Sequence, residues 1–558
     1  MNKPNINSQE GFDQHDPFKQ LKTKAIRLFR AIPHRILISI LIGLTAFLLY
    51  SPALKGYYIG DDFGFVQLYQ NPKWLEWPKL FYSDWSQGIW GYQLPEIRPF
   101  VALSFMLDAF VWKANPSGYH LTNIFINACN SILLFFVVRS LKIGTLTSAI
   151  AVSLLFTVHP IHVEAVYWIT GRNDLLPATF LLSSFLAFIV YRSQNKLVFY
   201  IISFILYTVG LFAKDIILFF PGLLIAYDLL LTDKRNTNLS KRITHHVPYL
   251  VVSIAYLFVR KFVLGSPIPT LITPLEFWKR QSGYLNWLFP PLNLQETWMW
   301  LLMYIFVICC LMYLPYFRRL SVVDIPLLFF GVVWYLISIT PVIVTYVSPR
   351  HLYIPSIGIC IMLAIAAQRI LSKRFFLIVT IFLLTYYSVL TSEYINEFNQ
   401  ASTISRNSQQ KVEMLASKNP DGSVLIVDIP AHYKRAWLWS WASPFVFRKP
   451  YSPSNVEDRL KIIERPETYY TFDFDWRKIN IVKSLTETPF DGNIIYLNDA
   501  NKVQVKEIGK QELQSTLNEF VKRWETKEKT SPGNPNDLWI DFWSQYLKNL
   551  NLSPSPLR

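Results

Sequence analysis

At 558 residues, with 52% hydrophobic and 16% aromatic side chains and a mean hydropathy of +0.25, the chain is too apolar for an ordinary soluble enzyme. A formal charge of +16 would suggest nucleic acid in a soluble protein, but here Lys and Arg fall mainly in short connections between apolar runs. That is the pattern of cytoplasmic membrane loops, so the expectation is a mainly α, polytopic helical membrane protein surrounded by lipid, with no nucleic-acid partner.

Residues 1–35 are polar and carry Lys19, Lys22, Lys24, Arg27, Arg30 and Arg35 without the early apolar region and small-residue cleavage site of a signal peptide. They are expected in the cytoplasm, ahead of an uncleaved first anchor. A membrane helix needs roughly 20 apolar residues. That length marks spans near 36–54, 118–138, 146–166, 174–191, 197–213, 216–231, 247–264, 298–316, 326–346, 353–370 and 375–392. The count is about eleven. As one helix, Leu197 to Leu231 would be roughly 50 Å long against a bilayer core of about 30 Å, so the stretch must break, and Lys214-Asp215 marks the place. The short segment holding Trp278, Lys279 and Arg280 reads as an interfacial helix.

Alternation of these spans gathers Arg139 and Lys142, Arg192 and Lys196, Lys234 to Arg242, Arg318 and Arg319, and Arg369 to Arg374 on the cytoplasmic side, as the positive-inside rule requires. It places Asp61, Asp62, Glu164, Arg172, Asp174, Lys214, Asp215, Arg350 and His351 at outer helix ends. Arg260 and Lys261 depart from the pattern and read as cations snorkelling to headgroups. The tail, 393–558, is then extracytoplasmic and reads as a small α/β domain, with strands at Ser423–Ile429, Asn493–Leu497 and Val503–Ile508 and helical character over 510–527. The division is thus 1–35, a membrane domain over 36–392, and the tail. Cys129, Cys309, Cys310 and Cys360 lie inside apolar runs, without metal-site or disulfide spacing.

Two stretches carry candidate chemistry. In Gly60-Asp61-Asp62-Phe63-Gly64, adjacent carboxylates stand at the mouth of a membrane helix, and glycines let the backbone turn sharply and approach a ligand; a solvated acidic turn is the simpler reading of the pair alone. In His159-Pro160-Ile161-His162-Val163-Glu164, followed by Arg172 and Asp174, five ionisable side chains cluster at the membrane edge. Each is costly there, which suggests a site rather than ion pairs closing a hairpin. Lys214-Asp215 either caps two helices or serves that site, and Arg350-His351 either holds a phosphate or meets headgroups. Carboxylates on one side and a ring of Arg, Lys and His on the other suit a hydroxyl acceptor attacking a sugar carried on a lipid phosphate. A carboxylate takes the hydroxyl proton and cations stabilise the departing phosphate. The competing class is a transporter or flippase of polyprenyl-linked sugars, which would expose the same charges to both faces.

In their order along the chain, Asp61-Asp62, Arg98-Pro99-Phe100, Tyr119 to Asn123, His159 to Glu164 with Gly171 to Leu176, Lys214-Asp215 and Pro349 to Ser356 resemble motifs of the polytopic GT-C glycosyltransferases. Within them the match is to the tetratricopeptide-repeat-containing protein O-mannosyltransferases, and it covers roughly residues 36 to 392. The resemblance implies inverting transfer of a hexose, such as mannose, from a polyprenyl-phosphate carrier, with a first-loop aspartate as general base. The catalytic candidates are therefore Asp61 and Asp62. His159, His162, Glu164, Arg172, Asp174, Lys214, Asp215, Arg350 and His351 are the donor-binding candidates, with Arg350 facing the donor phosphate. Some related enzymes use a divalent metal and others do not, so no cofactor is assigned. Asn127 stands where the family often has a second histidine, Asp215 replaces Glu, and Pro349 and His351 replace the Glu and Tyr flanking the arginine. A different small domain takes the place of the repeat tail, which leaves protein, glycan and lipid hydroxyls as acceptors. The expected location is a bacterial plasma membrane with the site on its outer face.

Overall fold

A computed structural model describes residues 33–90, 94–141, 145–232, 244–265, 273–290, 324–344, 347–418, 423–429, 432–439, 443–453, 456, 460–464, 492–497, 503–508, 515 and 522. The described part is mostly helical. In chain order the helices are α1 (His34–Tyr50), α2 (Asp62–Tyr69), α3 (Pro99–Trp112), α4 (Pro116–Ser140), α5 (Leu146–Val158), α6 (Val163–Tyr167) and α7 (Arg172–Gln194). They continue as α8 (Leu197–Leu211), α9 (Phe220–Leu230), α10 (Val247–Leu264), α11 (Pro274–Leu288), α12 (Asp324–Ile343), α13 (Pro355–Ile370) and α14 (Lys373–Lys418).

Among the described residues six helices are long and apolar enough to cross a membrane: His34–Lys55, Pro116–Ser140, Ile169–Gln194, Val247–Leu264, Pro326–Ile343 and Lys373–Met414. A seventh is added if α5 and α6, bent by 47° at the break containing Pro160, cross as one. The chain is an integral membrane protein, and among the described residues six or seven of the roughly eleven stretches marked by hydropathy are helices of full crossing length. The difference has a geometric origin. α8, α9 and α13 are 15, 11 and 16 residues long, and at about 1.5 Å per residue they fall short of a hydrocarbon core about 30 Å thick. The span expected near 298–316 and the segment before residue 33 lie outside the described residues, as does the helix expected over 510–527 apart from residues 515 and 522.

Three local expectations hold. The apolar stretch after Lys196 breaks as foreseen, with α8 ending at Leu211 and a 3-10 turn over Asp215–Phe219 leading into α9. His159, Pro160 and His162 interrupt the α5–α6 path, because Pro160 has no N–H for a continuing helix. α11 is amphipathic and shows Leu275 and Trp278 on its exposed side, as an interfacial helix does. Residues 373–418 form one continuous helix, so the last span runs unbroken past residue 392 into the tail.

Beyond α14 the strands are β1 (Ser423–Ile429), β2 (His432–Tyr433), β3 (Ala436–Trp437), β4 (Leu460–Glu464), β5 (Gly492–Leu497) and β6 (Val503–Ile508), with the short helix α15 (Ser443–Val446) between β3 and β4. A four-stranded sheet runs in the order β4-β1-β5-β6, with β1 parallel to β4 and β5, and β5 antiparallel to β6. β4 was not foreseen. It pairs Val424 with Leu460 and Ile426 with Ile462, and its partner strand lies more than thirty residues away in sequence.

Candidate active site

The aspartate turn is built by Gly60, which sits at φ +52°, a conformation that costs a side-chain-bearing residue about 1–2 kcal/mol. A Cβ at Gly60 would also lie 3.0 Å from the Trp168 ring. Gly60→Ala should therefore lower the thermal unfolding midpoint of the purified protein. An unchanged midpoint would mean that the turn tolerates both penalties.

The two carboxylates that follow are used differently. Asp62 is fully buried, and its Oδ1 accepts from the Thr170 backbone N–H at 2.9 Å and the Thr170 hydroxyl at 2.8 Å, while its Oδ2 accepts from the Ile59 N–H at 3.2 Å. Asp61 is 8% exposed, and its buried Oδ1 has no hydrogen-bond partner among the described residues. Burial pushes the Asp61 carboxyl up to about 6, against the pull of the Arg350 guanidinium. Burial and the neighbouring Asp61 raise Asp62 as well. Asp62 is thus tied into the fold through both oxygens, whereas Asp61 keeps one buried oxygen without a partner among the described residues.

Facing Asp61 is a cationic arm. Arg350 stacks on the Trp168 ring at 4.4 Å and approaches Asp174 Oδ2 at 3.7 Å. Asp174 also pairs with Lys214, and Glu164 Oε1 accepts from Ser348 Oγ at 2.8 Å, two residues before Arg350. Lys214 is buried, and desolvation lowers its pKa against the opposing pull of Asp174. Arg98, at the start of α3, lies close enough to add to that lowering, and it pairs with Glu96 at 2.8 Å. Arg350, Lys214 and Arg98 thus stand among three carboxylates, Asp174, Glu164 and Glu96, and their guanidinium and ammonium groups are the donors an anion could meet.

Other candidates are placed differently. His351 is not a second cation: burial, then Lys214, hold it well below the usual imidazole range, and its Nδ1 is 3.0 Å from the Tyr284 hydroxyl. Asp215 pairs with Arg260 at 2.7 Å, and Arg260 is 6% exposed, so this arginine does not snorkel to headgroups. The pair instead ties the turn after α8 to α10. His162 Nε2 is 2.9 Å from Ser356 Oγ and packs on Tyr353 and Phe156, while His159 accepts from the Ile161 N–H and packs on Tyr387. His159 lines an apolar groove with Leu155, Leu288, Cys360, Leu363 and Tyr387, on the α13–α14 side. Among the described residues neither histidine hydrogen-bonds to Asp61.

Arg172 is wholly buried and saturated. Nη2 reaches Asp108 Oδ2 at 2.5 Å, Nε reaches Asn123 Oδ1 at 2.9 Å, Nη1 reaches the Ser104 carbonyl at 3.2 Å, and the guanidinium lies 4.7 Å from the Phe105 ring. Each of these partners belongs to the protein frame. Asp108, Thr170, Ser348 and Arg98 were not singled out as site residues from the sequence. Asp108 did leave a signal, as the lone acid in the apolar run Pro99–Trp112. Among the described residues no three His, Cys, Asp or Glu side chains come together to hold a metal ion.

No family model matches the chain. Curated relatives do match part of it. The mouse protein O-mannosyl-transferase TMTC1 is 29% identical over 147 residues, 25% of this chain and 15% of the relative. Human protein O-mannosyl-transferase TMTC3 is 38% identical over 115 residues, covering 20% and 12%, and human TMTC4 is 27% identical over 224 residues, covering 35% and 30%. The chain therefore matches less than a third of the length of these relatives. The similarity falls in the same group of enzymes that the motifs resemble. Among solved structures, the Archaeoglobus fulgidus oligosaccharyltransferase tethered to an acceptor peptide aligns at a TM-score of 0.45 with 10% identity, over 83% of this chain and 69% of that one.

Proposed function

We propose that the protein is a membrane glycosyltransferase that moves a hexose, mannose in the first instance, from a polyprenyl-phosphate carrier to a hydroxyl acceptor. The observation that carries this reading is the contrast within Asp61-Asp62: Asp62 is held by Thr170 and Ile59, whereas Asp61 keeps a buried, unpartnered oxygen opposite the Arg350 guanidinium. A base needs a free lone pair within reach of the proton it takes, and a phosphate leaving group needs cations. Both are supplied within one small volume.

In the proposed reaction the acceptor hydroxyl donates its proton to Asp61 Oδ1 while its oxygen forms a bond to the anomeric carbon. The bond from that carbon to the phosphate oxygen breaks from the opposite side, which inverts the configuration, and polyprenyl phosphate leaves as an anion toward Arg350 and Lys214. The proton then passes from Asp61 to solvent. The apolar groove beneath His159 suits the carrier's hydrocarbon chain. With the charge pattern of the loops, the site belongs on the outer face and the tail beyond α14 lies outside.

Incubation of the purified protein with labelled polyprenyl-phosphate sugars and a membrane extract should move label to one acceptor class, and Arg350→Ala should lower the rate by about a hundredfold. Label that stays on the lipid with every donor would sink the transferase reading in favour of carrier binding and transport. Unchanged transfer in Arg350→Ala would remove the arginine from the leaving-group role.

A further inference from the structure

The backbone of the aspartate turn makes few hydrogen bonds of its own, and the chain that follows the last span supplies the others. The Gly60 N–H donates to the Leu438 carbonyl. The Tyr58 carbonyl accepts from Ser405 Oγ at 3.1 Å, and that hydroxyl in turn accepts from Trp439 Nε1 at 2.8 Å. The Phe63 carbonyl accepts from the Tyr451 hydroxyl at 2.7 Å. Gln409 accepts from the Tyr57 hydroxyl at 2.7 Å and donates to the Val446 and Tyr451 carbonyls at 3.0 and 2.9 Å. The Tyr451 ring stands edge-on to both Tyr58 and Phe63 at 5.0 Å, and Trp437 lies 6.3 Å from Trp168 on the other side of Gly60. The contacts of Leu438, Ser405, Tyr451 and the Gln409 carbonyl oxygen fall on residues 57–63, Trp437 packs on the ring that backs Gly60, and the bonds from Trp439 and the Gln409 amide hold Ser405 and the later chain in place behind them.

We propose that the outward extension of α14 and the stretches 436–439 and 443–452 form a clamp that positions Asp61, with Trp439 and Tyr451 as its positioning residues. The inference rests on the transferase reading above. It assigns a task to the tail that differs from acceptor binding: a turn with a left-handed glycine and little internal hydrogen bonding must be held from outside if its carboxylate is to stay aimed. The turn tethers are spread over Ser405 and Gln409 on α14 and Leu438, Trp439 and Tyr451 beyond it, so loosening one leaves the fold in place while blurring the aim. A misplacement of about 1 Å is enough to cost a large factor in rate without changing donor affinity.

The test uses the full chain in lipid nanodiscs, with the double variant Trp439→Phe/Tyr451→Phe: Tyr451→Phe deletes the hydroxyl and keeps the ring, and Trp439→Phe deletes the indole N–H while leaving a smaller aromatic ring in its place. The control is Tyr433→Phe, which deletes a hydroxyl that donates to Gln400 Oε1 at 2.9 Å, away from the turn. The expected result for the double variant is a kcat about tenfold lower at unchanged donor KM, with amide hydrogen exchange over residues 57–64 about tenfold faster. The control should match the wild type in both. The acid limb of kcat should also move to lower pH, because water reaching Asp61 relieves the burial that raises it; the charged groups facing Asp61, namely Asp62, Glu96 and Arg350, are the same in every variant. Wild-type kcat in the double variant overturns the proposal, whether or not exchange changes. A fall in kcat shared equally by the control overturns it too. If wild-type protein transfers nothing with any donor, the transferase reading fails, and exchange over 57–64 alone decides whether the clamp exists. Should the double variant fail to fold, Tyr451→Phe by itself carries the same comparison.

Discussion

Asp61→Asn should lower transfer by at least about a hundredfold while the protein remains folded in the membrane. The stability half of the expectation follows from sign. The folded-state carboxyl is raised to about 6 by burial, above its unfolded value of about 3.9, so above pH 6 the folded protein carries an ionised group that it disfavours. A neutral amide of the same shape relieves that cost, and the unfolding midpoint of the variant at pH 7.5 should equal or exceed that of the wild type. The same displacement sets the pH profile: the base form is lost as pH falls through about 6, so kcat should decline on that limb. Asp62→Asn should behave differently. Its amide can keep the two Thr170 bonds only by turning its NH2 toward the Ile59 N–H, two donors face to face, at a cost of about 1–3 kcal/mol. A destabilised, partly active Asp62 variant beside a stable, inactive Asp61 variant is the signature to look for. Full activity in Asp61→Asn would end the role proposed for it.

That division of labour was not legible in the sequence, which offers two adjacent aspartates with nothing to rank them. Thr170 is 108 positions from Asp62, and only packing of the α6–α7 turn against the first loop decides which carboxylate it caps. The same limit explains Arg172 and Arg260. Composition marks a charge at a membrane edge as costly, but which acid neutralises it depends on helix packing. Asp108 and Asp215 do so here, and the arginines become frame rather than site. Local chemistry was read more reliably. Pro160 breaks its helix because of a missing N–H, and Leu197 to Leu231 bends at Lys214-Asp215 because one straight helix would overrun the bilayer. Helix length was less legible. Apolar length identifies segments that avoid water, and helices such as α8 and α13 satisfy it without being long enough to cross.

The second large effect is expected far from any proton transfer, at Asp108. Arg172 is wholly buried at the start of a membrane span, and Asp108 is the acid that neutralises it while also accepting from the Thr122 hydroxyl at 2.8 Å. Asn123 joins Arg172 to the carbonyls of Trp168 and Ile169 at 3.0 and 3.1 Å, immediately before the Thr170 that caps Asp62. The network therefore connects α3, α4 and α7 to the aspartate turn. Asp108→Ala leaves a guanidinium buried without its counter-charge, and the cost of breaking such a pair from one side is about 3–5 kcal/mol. That is a large share of the stability of most folds, so the variant should unfold many degrees below the wild type in detergent, with transfer lost alongside. Removing both charges, as Asp108→Leu with Arg172→Met, takes away the pairing and the penalty together and should recover most of the midpoint. A single variant as stable as the wild type would mean that water or lipid headgroups reach Arg172. A double variant no better than the single would mean that the polar bonds to Asn123 and Ser104, rather than the charge pair, hold this corner of the site together.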